Sequence, residues 1–211
     1  MGVAFILLAG LLVGGCAAKK VTELENQLQG CETDLAKIKK NVGEDRTDAR
    51  IKDYKKARDV VEKAFAAEDV KAEVVLSDGL LSVRLPNDVM FESGAADLNA
   101  EGKKSLDTMA AVLLKDTKDR QFMVAGHTDS DPVGGSTYQD NWELSTERAL
   151  SALRYLVEKG VKASNLAAAG YGAHSPLGSN DNDEGKAENR RTEVVFLPTP
   201  GERAKQRAGG G

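Results

Sequence analysis

Three short polar clusters gather the residues of this chain that are able to do chemistry. GHTDSDP begins at Gly126, NWELSTERA at Asn141 and ENRRTE at Glu188. Each falls where a predicted strand or helix begins or ends, the junctions at which rigid elements present side chains to a ligand. The first chemistry to weigh is a metal or acid/base centre built from His127, Asp129, Asp131 and His174. The chain holds only 2 His, with no HExxH-type pair, so no metal ligand set is assigned. His127 stands between a glycine and a threonine at a strand end and reads as a hydrogen-bonded structural residue. Neither a Gly-rich phosphate loop nor a nucleophile elbow is present in the sequence. The clusters therefore read as a binding site and not as the centre of an enzyme, and no cofactor is expected.

The elements that must position these clusters are legible as pattern. Residues 72–76 and 80–85 read as two strands flanking a Ser77-Asp78-Gly79 turn, a D-G hairpin signal. Residues 98–114 carry helical periodicity through Leu106, Met109, Ala110, Leu113 and Leu114, with Asn99 as N-cap. Residues 121–125 form a short buried strand that runs into Gly126-His127-Thr128-Asp129. A second amphipathic helix spans 144–159, with Leu150, Leu153, Leu156 and Val157 inward and Gly160 stopping it. Residues 166–171 and 192–197 complete the strands. This alternation predicts an α/β fold, a two-layer sandwich of helices on a mixed β-sheet, with a core of about 120 residues.

The amino-terminal part is built differently. Residues 3–13 are an apolar run, too short for the roughly 20 residues that span a bilayer. A run of this length before small residues is a secretory signal. It ends in Val13-Gly14-Gly15-Cys16, which resembles the lipobox of bacterial lipoprotein precursors, although no Lys or Arg precedes Val3. The resemblance implies cleavage before Cys16 and diacylglyceryl attachment to its sulfur, the alternative being an uncleaved anchor. No Asp follows Cys16, which in that pattern points to the outer membrane. Cys31 is then the only free thiol, either a small buried apolar residue or the site of an intermolecular bridge.

From Val21, apolar residues recur at Leu24, Leu28, Cys31, Leu35 and Ile38, a heptad seam. It reads as a self-associating coiled coil or as one amphipathic helix. Gly43 and the charged GEDRTDAR stretch interrupt it, and a second helix from about 51 to 67 follows with Ile51, Tyr54, Val61 and Phe65 on one stripe. As a stalk the two would reach roughly 60 Å. The organisation expected is a signal peptide over 1–15, an anchor and stalk over 16–70, a globular domain over 71–198 and a disordered tail over 199–211. A net charge of -4 and a pI near 5.4 argue against a nucleic-acid partner.

In order along the chain, FESGAADL, GHTDSDP, NWELSTERALSALRYLVEKGV, LAAAGYGAHSP and NDNDEGKAENRRTEVVF resemble the OmpA C-terminal-like family. That family includes peptidoglycan-associated lipoproteins and the periplasmic part of MotB stator proteins. The resemblance covers roughly residues 80–197 and implies non-covalent binding of the diaminopimelate-containing stem peptide of peptidoglycan. It implies that Asp129 meets the ligand's ammonium and Arg148 its carboxylate, pairings that suit an acid and a planar guanidinium fork. Asn141, Thr128 and Arg190 match further lining positions, Arg190 having the second reading of a tie between the last strand and the helix. This chain departs from the commonest members in a longer loop, DPVGGSTYQD, and in the FESG segment, which lacks a second acid.

The expectation is an outer-membrane lipoprotein facing the periplasm that tethers the membrane to the wall. The alternative is a motility- or signalling-associated envelope protein that uses the wall to anchor a complex. A stator would need a membrane helix bearing an ionisable residue, and the one long apolar run has none.

Overall fold

A computed structural model describes residues 20–21, 23–30, 32–33, 44–77, 79–116, 120–134 and 137–199. The chain divides into two compact units, Met1–Asp48 and Ala49–Gly211. In the first, the described residues between 20 and 33 are helical and expose Val21, Leu24 and Leu28. The signal segment, Cys16, Cys31, Leu35, Ile38, Asp78, Gly135 and the tail from 200 lie outside the described residues. Among the described residues no helix is long and apolar enough to cross a membrane.

The second unit is built on α1 (Glu44–Ala67) from Ala49 onward, β1 (Glu73–Ser77), β2 (Leu80–Pro86), α2 (Asn87–Met90), α3 (Ala100–Asp116), β3 (Phe122–Gly126), α4 (Asn141–Glu158), β4 (Leu166–Gly170), α5 (Asp183–Asn189) and β5 (Arg191–Phe196). Its five strands form one mixed sheet in the order β1-β2-β5-β3-β4, parallel only between β3 and β4. In the expected hairpin Ser77 pairs with Leu80, and Gly79 supplies the positive φ of 70° that a two-residue turn demands. β2 alternates as a half-buried strand should, with Leu81, Val83 and Leu85 inward. They meet Phe122, Val124, Val194 and Phe196 of the neighbouring strands and Leu106, Met109 and Leu113 of α3.

Asn99 caps α3 as expected, its Oδ1 accepting from Gly102 N at 2.8 Å. Gly160 ends α4 with φ 97°. The buried face of α4 differs from the predicted one: Leu144, Ser145, Arg148, Ala149, Ala152 and Leu156 are buried, while Leu150, Leu153 and Val157 are half-buried. Small residues take the inner face because the helix sits close to the sheet. A Cβ on Gly126 would overlap the Ser145 carbonyl, and one on Gly170 would overlap the Thr146 hydroxyl. This close seating sets the first turns of α4 against the carboxyl ends of β3 and β4.

The largest correction concerns the second helical segment, which begins at Glu44, inside the charged stretch expected to precede it, and not at about 51. Its apolar stripe is not stalk surface. Tyr54, Val61 and Phe65 are buried in the core of the second unit. The Tyr54 hydroxyl donates to the Phe196 carbonyl at 3.1 Å, and Arg120 lies 4.8 Å over the Tyr54 ring while pairing with Asp53 at 2.8 Å. This segment therefore adds no reach to a stalk: an apolar stripe is buried wherever a surface is offered, and the core of the second unit offers one.

Candidate functional site

The five residues singled out by sequence, Thr128, Asp129, Asn141, Arg148 and Arg190, all line one cleft of about 500 Å³. Its walls come from separate elements: the loop after β3, the start of α4, the end of α5, and the segment from α2 to α3. The segment from Phe91 to Leu98 is a tight loop closed by a bridge between those two residues. It turns the carbonyls of Glu92 and Ala95 toward α4.

Arg148 is held by that loop. Its Nε donates to Ala95 O at 2.8 Å and its guanidinium lies 5.2 Å over the Phe91 ring. The residue is only 5% exposed, yet among the described residues no carboxylate pairs with it and Nη1 makes no hydrogen bond. Burial holds its pKa below the usual arginine value, with the nearby Asp88 and Asp129 acting against that shift. A desolvated guanidinium facing a cleft without its own counter-ion is an anion site in waiting.

Asp129 is buried in the wall formed by the loop after β3. Its Oδ1 accepts from Asp131 N at 3.0 Å, an Asx turn that fixes the loop, and its Oδ2 lies 2.7 Å from Arg190 Nη1. Arg190 also grips Asp88 with Nε and Nη2, each at 3.1 Å. Arg190 thus lines the cleft, and its side chain ties the junction of α5 and β5 to α2. Its hydrogen bonds to these two carboxylates, those to Asp88 contributing most, hold its pKa above the ordinary arginine value.

Asn141 and Thr128 act on the cleft wall itself. Asn141 Nδ2 donates to Asp131 O at 2.8 Å, and Thr128 Oγ1 donates to Asp129 O at 2.9 Å. From behind, Asn180 accepts from Ser130 N at 3.1 Å and Lys186 pairs with Asp131 at 2.8 Å, which fixes the rim over 129–131. α4 is capped by Asp140, which accepts from Glu143 N at 2.9 Å. Pro132, Val133 and Gly134 of the long loop complete the lining.

Sequence reasoning missed Asp88, Phe91 and the two loop carbonyls, as well as the buried Asn87. Asn87 joins three strand ends, donating to His127 O at 2.9 Å and accepting from Thr192 Oγ1 at 2.8 Å. The signal was Pro86-Asn87-Asp88, a strand-ending triplet just before the aromatic. Asn189 of the ENRRTE cluster is likewise structural, accepting from Leu177 N and Gly178 N.

His127 lies outside the cleft lining and packs flat on Tyr171, ring centroids 4.9 Å apart. Burial, then the charge of Arg191, pushes its pKa down to about 4, so the buried ring is neutral. Since the unfolded chain binds this proton at about pH 6.5, the contribution to stability is full above that pH and is lost as pH falls to about 4. The loss amounts to about 3 kcal/mol. A His127→Phe variant is expected to flatten the stability curve between pH 6.5 and 4 relative to wild type in thermal melts. An unchanged slope there contradicts the assignment. Among the described residues no group of three His, Cys, Asp or Glu gathers as a metal site.

The OmpA family model matches residues 90–190. "Motility protein B" of Bacillus subtilis is 35% identical over 123 residues, 58% of this chain and 46% of that protein. "Probable lipoprotein YiaD" of Escherichia coli is 38% identical over 125 residues, 59% of this chain and 55% of that protein. The chain thus spans about half the length of these curated relatives. A putative MotB like protein from Desulfovibrio vulgaris superposes with a TM-score of 0.66 at 27% identity, covering 71% of this chain and 94% of that one.

Proposed function

From the premise that residues 90–190 form an OmpA family domain, we propose that its cleft binds the diaminopimelate-containing stem peptide of peptidoglycan non-covalently. The single observation that carries this reading is Arg148, buried in the cleft wall with no carboxylate partner among the described residues. A free amino-acid end supplies the carboxylate that Arg148 lacks and brings its ammonium to Asp129, beside the guanidinium of Arg190. Thr128 and Asn141 keep the loop that bears Asp129 in place, and Arg190 stands beside it. Two charge-assisted contacts of about 1.5 to 3 kcal/mol each set single-stem affinity between about millimolar and tens of micromolar. A wall offers many stems, so an anchored population holds it by avidity while single contacts exchange.

The role is binding, not catalysis. Incubating the purified chain with sacculi is expected to sediment the protein and release no soluble fragments. Released muropeptides would make it an enzyme, and failure to sediment would remove the wall as its ligand.

Placement in the outer membrane rests on Val13-Gly14-Gly15-Cys16 and on similarity to a probable lipoprotein. In this reading Cys16 is diacylated and holds the chain facing the periplasm, each buried CH₂ adding about 0.8 kcal/mol. An intact mass showing unmodified Cys16 in the mature chain refutes it. The exposed Val21, Leu24 and Leu28 support self-association of the stalk, checked by sedimentation equilibrium. A second reading, wall anchoring of a motility or signalling complex, is favoured by similarity to a motility protein B and to a MotB like structure. Crosslinked pulldown from cells separates the two.

A further inference from the structure

Asp129 already accepts from a cation. Arg190 Nη1 lies 2.7 Å from it, and one guanidinium against one carboxylate leaves no net charge for a second cationic group. Arg190, however, is gripped from its other side by both oxygens of Asp88 at 3.1 Å, a bidentate fork. Two carboxylates against one guanidinium leave the triad with one net negative charge. We propose that Asp88 is a positioning residue that neutralises Arg190 and thereby keeps Asp129 able to take the ammonium of a ligand.

The gradient of burial fits this division of labour. The Asp129 side chain is 10% exposed, that of Arg190 31% and that of Asp88 60%. The compensating acid thus stands at the outer end, where desolvation is small, and the acid that meets ligand stands in the wall. A carboxylate offers about four lone-pair sites, and Asp131 N and Arg190 occupy only two on Asp129. Room for an ammonium remains, and Asp88 supplies the charge to balance it. With Arg148 lining the same cleft and without a carboxylate partner among the described residues, the triad's negative charge and the guanidinium's positive charge form a template for a zwitterion.

The inference rests on the proposed function, since it concerns the ammonium end of the stem. It is tested by calorimetric titration of the full chain with a diaminopimelate-containing tripeptide and with the same peptide acetylated on its free side-chain amine. Asp88→Asn, nearly isosteric, is expected to weaken the ammonium peptide about tenfold while leaving the acetylated one at its wild-type value. Adding Arg190→Gln to Asp88→Asn is expected to restore most of that loss, because Asp129 then stands without a competing cation. A merely structural role predicts the reverse, two losses that add. Wild-type affinity of Asp88→Asn for the ammonium peptide overturns the proposal, as does an equal loss for both peptides. The selectivity ratio of the single variant decides the matter even where the double variant fails to fold. Failure of the unmutated chain to bind either peptide would instead sink the stem-binding reading itself.

Discussion

Replacing Arg148 by methionine is expected to abolish sacculus binding while moving the melting temperature by only a few degrees. The guanidinium is desolvated without an ion-pair partner among the described residues, so in the folded chain it carries a cost that few native contacts offset. Methionine fills similar volume, packs on Phe91 and removes that cost, losing the hydrogen bonds to Ala95 O at 2.8 Å and, more weakly, to Glu92 O at 3.5 Å, together worth about 1 to 2 kcal/mol. These opposing effects nearly cancel in stability. They do not cancel in binding, where the ligand carboxylate loses a bidentate partner and affinity drops by at least about tenfold for each contact, more once avidity is lost. Arg148→Lys is expected to fail largely as well, because an ammonium does not reproduce the planar fork. Sacculus pulldown alongside thermal melts reads both quantities. Retained pulldown in a folded Arg148→Met chain would remove Arg148 from the ligand.

Phe65→Ala is expected to destabilise the second unit by about 3 to 5 kcal/mol, the cost of deleting a buried aromatic. Phe65 is 3% exposed and packs in the same cluster as Phe122 and Phe196. Against a total stability of about 5 to 15 kcal/mol for an ordinary domain, the loss is large. The same logic applies to a fragment cut at residue 71, the boundary that sequence pattern suggests. It removes Tyr54, Val61 and Phe65 together and exposes the core face they cover, so it should aggregate or melt without cooperativity. A fragment starting at Ala49 should melt cooperatively. Urea unfolding of the two fragments decides, and equal cooperativity would return α1 to the stalk.

These two expectations mark where sequence was informative and where it was not. The strands and two long helices of the domain were legible because each alternates or repeats with its own period, and the turn residues at Gly79 and Gly160 agree with that pattern. Asp129 and Arg148, which line the same cleft, were picked out by the GHTDSDP and NWELSTERA motifs that carry the family resemblance. Periodicity alone did not say against what a stripe packs: Tyr54, Val61 and Phe65 mark a face, and only the folded sheet shows that it is covered. The inner face of α4 was misjudged toward its leucines, since close approach at Gly126 and Gly170 favours Ala149 and Ala152 there. Asp88 was invisible because its partner lies 102 residues away, and the carbonyls of Glu92 and Ala95 have no side-chain signature at all.

The central claim is that one cleft takes the zwitterionic end of a stem peptide, and nuclear magnetic resonance titration with a diaminopimelate-containing tripeptide tests it most directly. The expected result is saturable shifts centred on the amides of Thr128, Asp129, Asn141 and Arg148, with a Kd between about 40 µM and several millimolar, absent in the Asp129→Ala, Arg148→Ala double variant. Shifts that map elsewhere on the domain, or that persist unchanged in the folded double variant, would contradict it.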